Sequence, residues 1–115
     1  MIKKLAQQKQ EIRENMKGGT GKVTIRHCLD KEDIKAKCRL CAQLIIPPCA
    51  GIGLHEHAQE DEIFIVQQGK GIIIDDGKET TVESGDAILT GQGGAHSVKN
   101  TGETDLILTA IIMEY

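Results

Sequence analysis

Aromatic side chains are nearly absent from this sequence: one phenylalanine (Phe64), one tyrosine (Tyr115) and no tryptophan in 115 residues. Stacking on bases or sugars needs such rings, so binding by stacking is not expected. A surplus of positive charge is also missing. Fourteen Lys and Arg against seventeen Asp and Glu leave a net charge of −3, and no basic run goes beyond Lys3-Lys4. That balance argues against nucleic acid or an anionic membrane surface as the main partner. Long apolar runs are lacking too. Leu44-Ile45-Ile46 and Ile72-Ile73-Ile74 fall far short of the roughly 20 residues that a membrane span requires. The stretch Ala6 to Asn15 is polar rather than an apolar leader core, so the expected location is cytoplasmic.

What is present fits one domain, since domains commonly run to roughly 100 to 200 residues. Ile2 to Met16 scatters apolar positions among good helix formers and ends at Lys17-Gly18-Gly19, which predicts a short helix or an ordered arm over residues 1–22. Gly18-Gly19-Thr20-Gly21-Lys22 reads as a flexible joint, because no apolar helix follows it to make a phosphate loop. From Val23 to Tyr115 short runs of Ile, Val and Thr alternate with Gly, Asp and Asn, which predicts an all-β domain over 23–115. Asp76-Gly77, Ser84-Gly85-Asp86 and Asn100-Thr101-Gly102-Glu103 are turn sequences. About nine short strands joined by such turns call for a sandwich or barrel.

His55-Glu56-His57 sets two imidazoles at i and i+2, and a strand points those positions to one face. Two nitrogens on one face can chelate a single ion. Glu62 follows after the polar Ala58-Gln59-Glu60-Asp61, which reads as a loop, and so opens the next strand facing the histidines, with Phe64 and Val66 behind it on the inner face. His96 follows the glycine-rich Gly91-Gln92-Gly93-Gly94-Ala95. Three imidazoles and one carboxylate suit one divalent transition metal, Mn, Fe, Co, Ni or Zn, and leave positions for a ligand. Glu60 and Asp61 compete for the carboxylate role.

These residues resemble the two motifs of the cupins. The first motif runs Gly, five residues, His-x-His, three or four residues, Glu, six residues, Gly; here it reads His55, His57, Glu62 and Gly69, with Cys49 where the first Gly stands. The second is matched by Gly85, Gly93, His96 and Asn100, with Gly91 in place of a proline. The resemblance implies a conserved β-barrel of the jelly-roll kind and a metal held by His55, His57, Glu62 and His96. The six-residue gap to Gly69 favours Glu62 over Glu60 and Asp61, which are then solvated loop charges. Within the family the chain resembles the small single-domain, oxalate-decarboxylase-like cupins, which implies a homodimer.

Four cysteines offer a rival site, since Cys38 and Cys41 have zinc spacing and Cys28 and Cys49 complete four. On one continuous strand Cys38 and Cys41 face opposite sides, so buried or partly buried thiols are expected. His27 has no partner at motif spacing and is assigned a structural or surface role. The functional expectation is a metal-dependent enzyme acting on a small polar metabolite such as an organic acid, by decarboxylase, dioxygenase or isomerase chemistry. The alternative is a non-catalytic small-molecule binding or sensing module. No residue is assigned as a general acid or base, although Glu60 is the acid nearest the mouth in sequence.

Overall fold

The computed structural model describes residues 1–115. Ten strands form: β1 (Gln10–Glu14), β2 (Lys22–Leu29), β3 (Cys38–Ile46), β4 (Gly51–Glu56), β5 (Glu60–Gln68), β6 (Lys70–Asp75), β7 (Lys78–Glu83), β8 (Ala87–Gly91), β9 (Ala95–Asn100) and β10 (Leu106–Glu114). All strand pairs are antiparallel, in a six-stranded sheet ordered β1-β2-β3-β10-β5-β8 and a four-stranded sheet ordered β4-β9-β6-β7. The expected all-β jelly roll is therefore present. No helix is long and apolar enough to cross a membrane.

Period-2 alternation builds the core. In β10 Leu106, Leu108, Ala110 and Ile112 are buried while the residues between them are not. Phe64 and Val66 of β5, Ala42, Leu44 and Ile46 of β3, and Ile73 and Val98 meet them from both sheets. The Asp76-Gly77 turn has φ of 51° and 83°, the pair of positive values that a two-residue hairpin twisting with its strands requires. Asn100 closes the last turn: its side-chain amide donates to the carbonyls of Ile46 and Thr104, and its carbonyl accepts from the Gly102 amide.

The N-terminal segment forms no α-helix. After a single 3-10 turn at Leu5–Gln7 it pairs as β1 on the edge of β2, so of the two forms expected the arm is realised. Its continuation is pinned rather than loose. A Cβ on Gly53 would stand 2.1 Å from the Lys17 carbonyl oxygen, and one on Gly19 would stand 2.3 Å from that of Gly51, so backbone lies directly on backbone. Only glycine allows that approach.

The cysteine geometry corrects the straight-strand expectation. Cys41 lies opposite Ile111 and Cys38 opposite Met113, while Leu40 lies opposite Ile112, so Arg39 is an extra residue in β3. This β-bulge turns Cys38 and Cys41 to the same outer face. All four cysteines are free thiols, and burial pushes Cys41 up, with Cys28 and Cys38 adding to the shift.

Candidate metal centre

His55 is the last residue but one of β4, His57 lies just beyond the strand's end, Glu62 stands on β5 and His96 on β9. His55 lies directly opposite His96 across the β4–β9 pair. His57, Glu62 and His96 are buried, and His55 is half-buried. The four residues named from the sequence converge, with one ligand atom from each within 4.8 Å of all the others.

His57 Nε2 is 3.0 Å from His96 Nε2, which is 3.1 Å from His55 Nε2. Glu62 Oε1 is 2.9 Å from both His57 Nε2 and His96 Nε2. Ligand atoms about 2.1 Å from one ion, in adjacent octahedral positions, stand ~3.0 Å apart, so these edges match a common centre. The ring protons support the same reading. His55 Nδ1 donates to the Gly53 carbonyl at 2.8 Å and His57 Nδ1 to Glu60 Oε2 at 2.5 Å, which leaves Nε2 lone pairs directed at one point. His96 Nδ1 has no hydrogen-bond partner, so that ring too is free to turn an Nε2 lone pair toward a cation. The donor set therefore fits a divalent metal.

Burial pushes His55 below the usual histidine range, with the Gly53 hydrogen bond opposing that shift. The neutral imidazole so favoured is the ligating form. Phe64 stacks on His96 with ring centroids 4.9 Å apart and an angle of 7°, which fixes the ring plane that no hydrogen bond at Nδ1 holds.

Glu60 and Asp61 are not solvated loop charges. Both belong to β5, and the loop after His57 shrinks accordingly. Asp61 accepts a hydrogen bond from the Tyr115 hydroxyl. Glu60 accepts from Arg39 Nε at 2.8 Å and Nη2 at 2.7 Å as well as from His57. The Arg39 guanidinium, assisted by His57, holds the Glu60 carboxyl down at about 2. Sequence reasoning missed this carboxylate–histidine pair, although the i, i+3 spacing of His57 and Glu60 was its one available signal.

A cavity of about 160 Å³ opens onto the centre, lined among others by His55, His57, Glu62, Phe64, Arg39 and Lys17. A cavity of this size has room for one small organic ligand, as an engineered apolar cavity of about 150 Å³ holds benzene. The arm supplies part of the wall through Glu11, Arg13 and Met16. His27 also lines it, bonded to Glu11 at 3.0 Å and outside the ligand cluster.

The profile of the Cupin domain family matches residues 42–112. An oxalate-binding protein of Thermotoga maritima is 42% identical over 99 residues, 86% of this chain and 82% of its own length. The crystal structure of a predicted oxalate decarboxylase from Thermotoga maritima superposes with a TM-score of 0.95 at 38% identity, covering all of both chains. The cupin domain of Schizosaccharomyces pombe Cnp3 shares the fold, with a TM-score of 0.75 at 11% identity over 91% of this chain and 69% of that one.

Proposed function

The chain belongs to the cupin family, and from that premise we propose that it binds one divalent transition metal through His55, His57, Glu62 and His96 and holds a small organic acid against it. The convergence of three imidazole nitrogens and one carboxylate oxygen carries this reading. The metal, Mn, Fe, Ni or Zn, supplies Lewis-acid stabilisation of negative charge on a bound oxygen. The protein's part is to keep the imidazoles neutral and aimed, to wall the cavity with Phe64, Leu44 and Ile52, and to limit the ligand's size. Oxalate is the acid to test first, because the Thermotoga maritima relative is an oxalate-binding protein.

Two readings of the outcome divide at the proton. A metal-dependent enzyme, such as a decarboxylase, needs a group free to deliver one. Binding without turnover is favoured by Glu60, whose oxygens are engaged by Arg39 and His57. A homodimer and a cytoplasmic location complete the proposal, the latter supported by four unpaired thiols, as expected of a reducing compartment.

The test is elemental analysis of untagged, unchelated protein beside a His57→Ala variant. The expected result is one transition-metal ion per chain, lost in the variant. Wild-type protein that takes up no Mn, Fe, Ni or Zn overturns the proposal. Incubating the loaded protein with oxalate and assaying formate and carbon dioxide then separates enzyme from binder.

A further inference from the structure

We propose that Arg39 is the specificity-determining residue of the cavity, pairing with the second carboxylate of a small dicarboxylate whose first carboxylate lies at the metal. This rests on the metal-and-acid reading above and adds to it the ligand class and the residue that selects it.

Three observations carry it. The first is the bulge in β3. In a regular strand Arg39 would alternate with Leu40 and point to the outer face, but the extra residue turns both Arg39 and Leu40 to the cavity. Bulges that re-aim one side chain beside a site are a recurrent device. The second is rigidity. Arg39 Nε and Nη2 both bond Glu60, whose other contact is His57. The guanidinium is therefore fixed two hydrogen bonds away from a metal ligand, before any ligand arrives. A bidentate fork loses little freedom when it binds again. The third is spare capacity. A guanidinium has five N–H donors in one plane, and Glu60 is bonded by only two of its nitrogens, leaving Nη1 unengaged.

The remaining cations on the cavity are placed differently. Arg13 pairs with Glu11 at 3.3 Å, and His27 bonds the same Glu11. Lys17 lines the cavity from the exposed arm loop, with no bidentate partner to hold it. Size agrees with this ligand class: a cavity near 160 Å³ admits a short diacid.

The experiment uses full-length protein loaded with Mn²⁺ and compares wild type with Arg39→Gln and Arg39→Lys. Metal content is measured first, then the affinities for oxalate, malonate and acetate by calorimetry. All three proteins are expected to hold one ion per chain. Arg39→Gln should lose about 10- to 100-fold in oxalate or malonate affinity, the size of one charge-assisted hydrogen-bonded pair. Arg39→Lys, which keeps the charge without the fork, should recover part of that loss. Acetate, with no second carboxylate, should bind all three alike. Oxalate and malonate bound equally by wild type and Arg39→Gln, with the metal retained, overturn the assignment alone. Loss of metal from both variants but not from wild type also overturns it, because Arg39 would then act on His57 through Glu60. Wild type without metal overturns the metal-centre reading together with this inference.

Discussion

Replacing Glu60 by glutamine keeps the side chain's shape and removes its charge, which isolates what that charge does for His57. The carboxylate fixes the Nδ1–H tautomer and raises the basicity of Nε2 toward a metal. We expect Glu60→Gln to weaken metal binding by about 10- to 100-fold, the usual cost of losing such a partner, measured by competition with a chromophoric chelator. A second consequence is acid sensitivity. The Arg39 guanidinium, with His57, holds the Glu60 carboxyl down at about 2 in the folded chain, against an ordinary value of 4.5. A depressed folded value means that its stabilisation is complete above pH 4.5 and is lost as pH falls toward 2. Urea midpoints of the metal-free protein between pH 5 and pH 2 should therefore fall less steeply in Glu60→Gln than in wild type. At this scale the sequence reads well for the ligands, because fixed spacing within and between two motifs names His55, His57, Glu62 and His96. It reads badly for Glu60 and Arg39, which lie 21 residues apart and meet only once β3 and β5 flank β10. Cys49 shows the reverse case: its φ of 68° preserves the backbone that the motif's glycine would supply, although the residue type conceals it.

The arm is the element whose role depends most on tertiary contact. Gln10 to Glu14 is built of good helix formers with one isoleucine, so local propensity favours a helix, while pairing with β2 makes it a strand. Composition could not show the loop after it to be pinned, because the cause lies in Gly51 and Gly53 on another strand. That contact reaches the metal centre, since the Gly53 carbonyl beneath Lys17 is the one that orients His55. Gly53→Ala places a methyl 2.1 Å from the Lys17 oxygen, so the arm or β4 must move. We expect a loss of about 1–3 kcal/mol in urea unfolding, typical of overpacking, together with weaker metal binding. A variant truncated before Lys22 removes the clash along with the arm. Adding Gly53→Ala to that truncation should change stability little, and an equal loss in both backgrounds would rule out the contact as the cause. The two bulges, at Cys28 in β2 and Arg39 in β3, were likewise illegible, because a period-2 reading assumes regular alternation.

At the scale of the whole molecule, the six-stranded sheet has a second face that the barrel does not cover. Ile107, Ile111 and Met113 of β10 alternate with buried residues and so point outward. On the neighbouring strands Ile65 is 36% exposed and Leu89 61%, and Ile63 lies opposite Ile111 and next to Leu89. An apolar stripe across three adjacent strands is more than scattered surface leucines and isoleucines would give. A twofold axis through the stripe lets it pack on the same stripe of a second copy, and two such faces can bury the roughly 1,600 Å² of a standard interface. The cavity of each copy lies on the other side of the sheet, lined by inward residues such as Leu44, Phe64 and Ile112, so pairing through the stripe leaves both mouths open. Light scattering coupled to size exclusion should return twice the 12.5 kDa of one chain. Ile65→Lys combined with Ile111→Lys should return the single-chain mass, since burying four lysines at one twofold contact has no compensating charge. The same variant should still bind one metal per chain, because neither position lines the cavity. Wild type at 12.5 kDa would sink the dimer, and a double variant that remains paired would place the interface elsewhere.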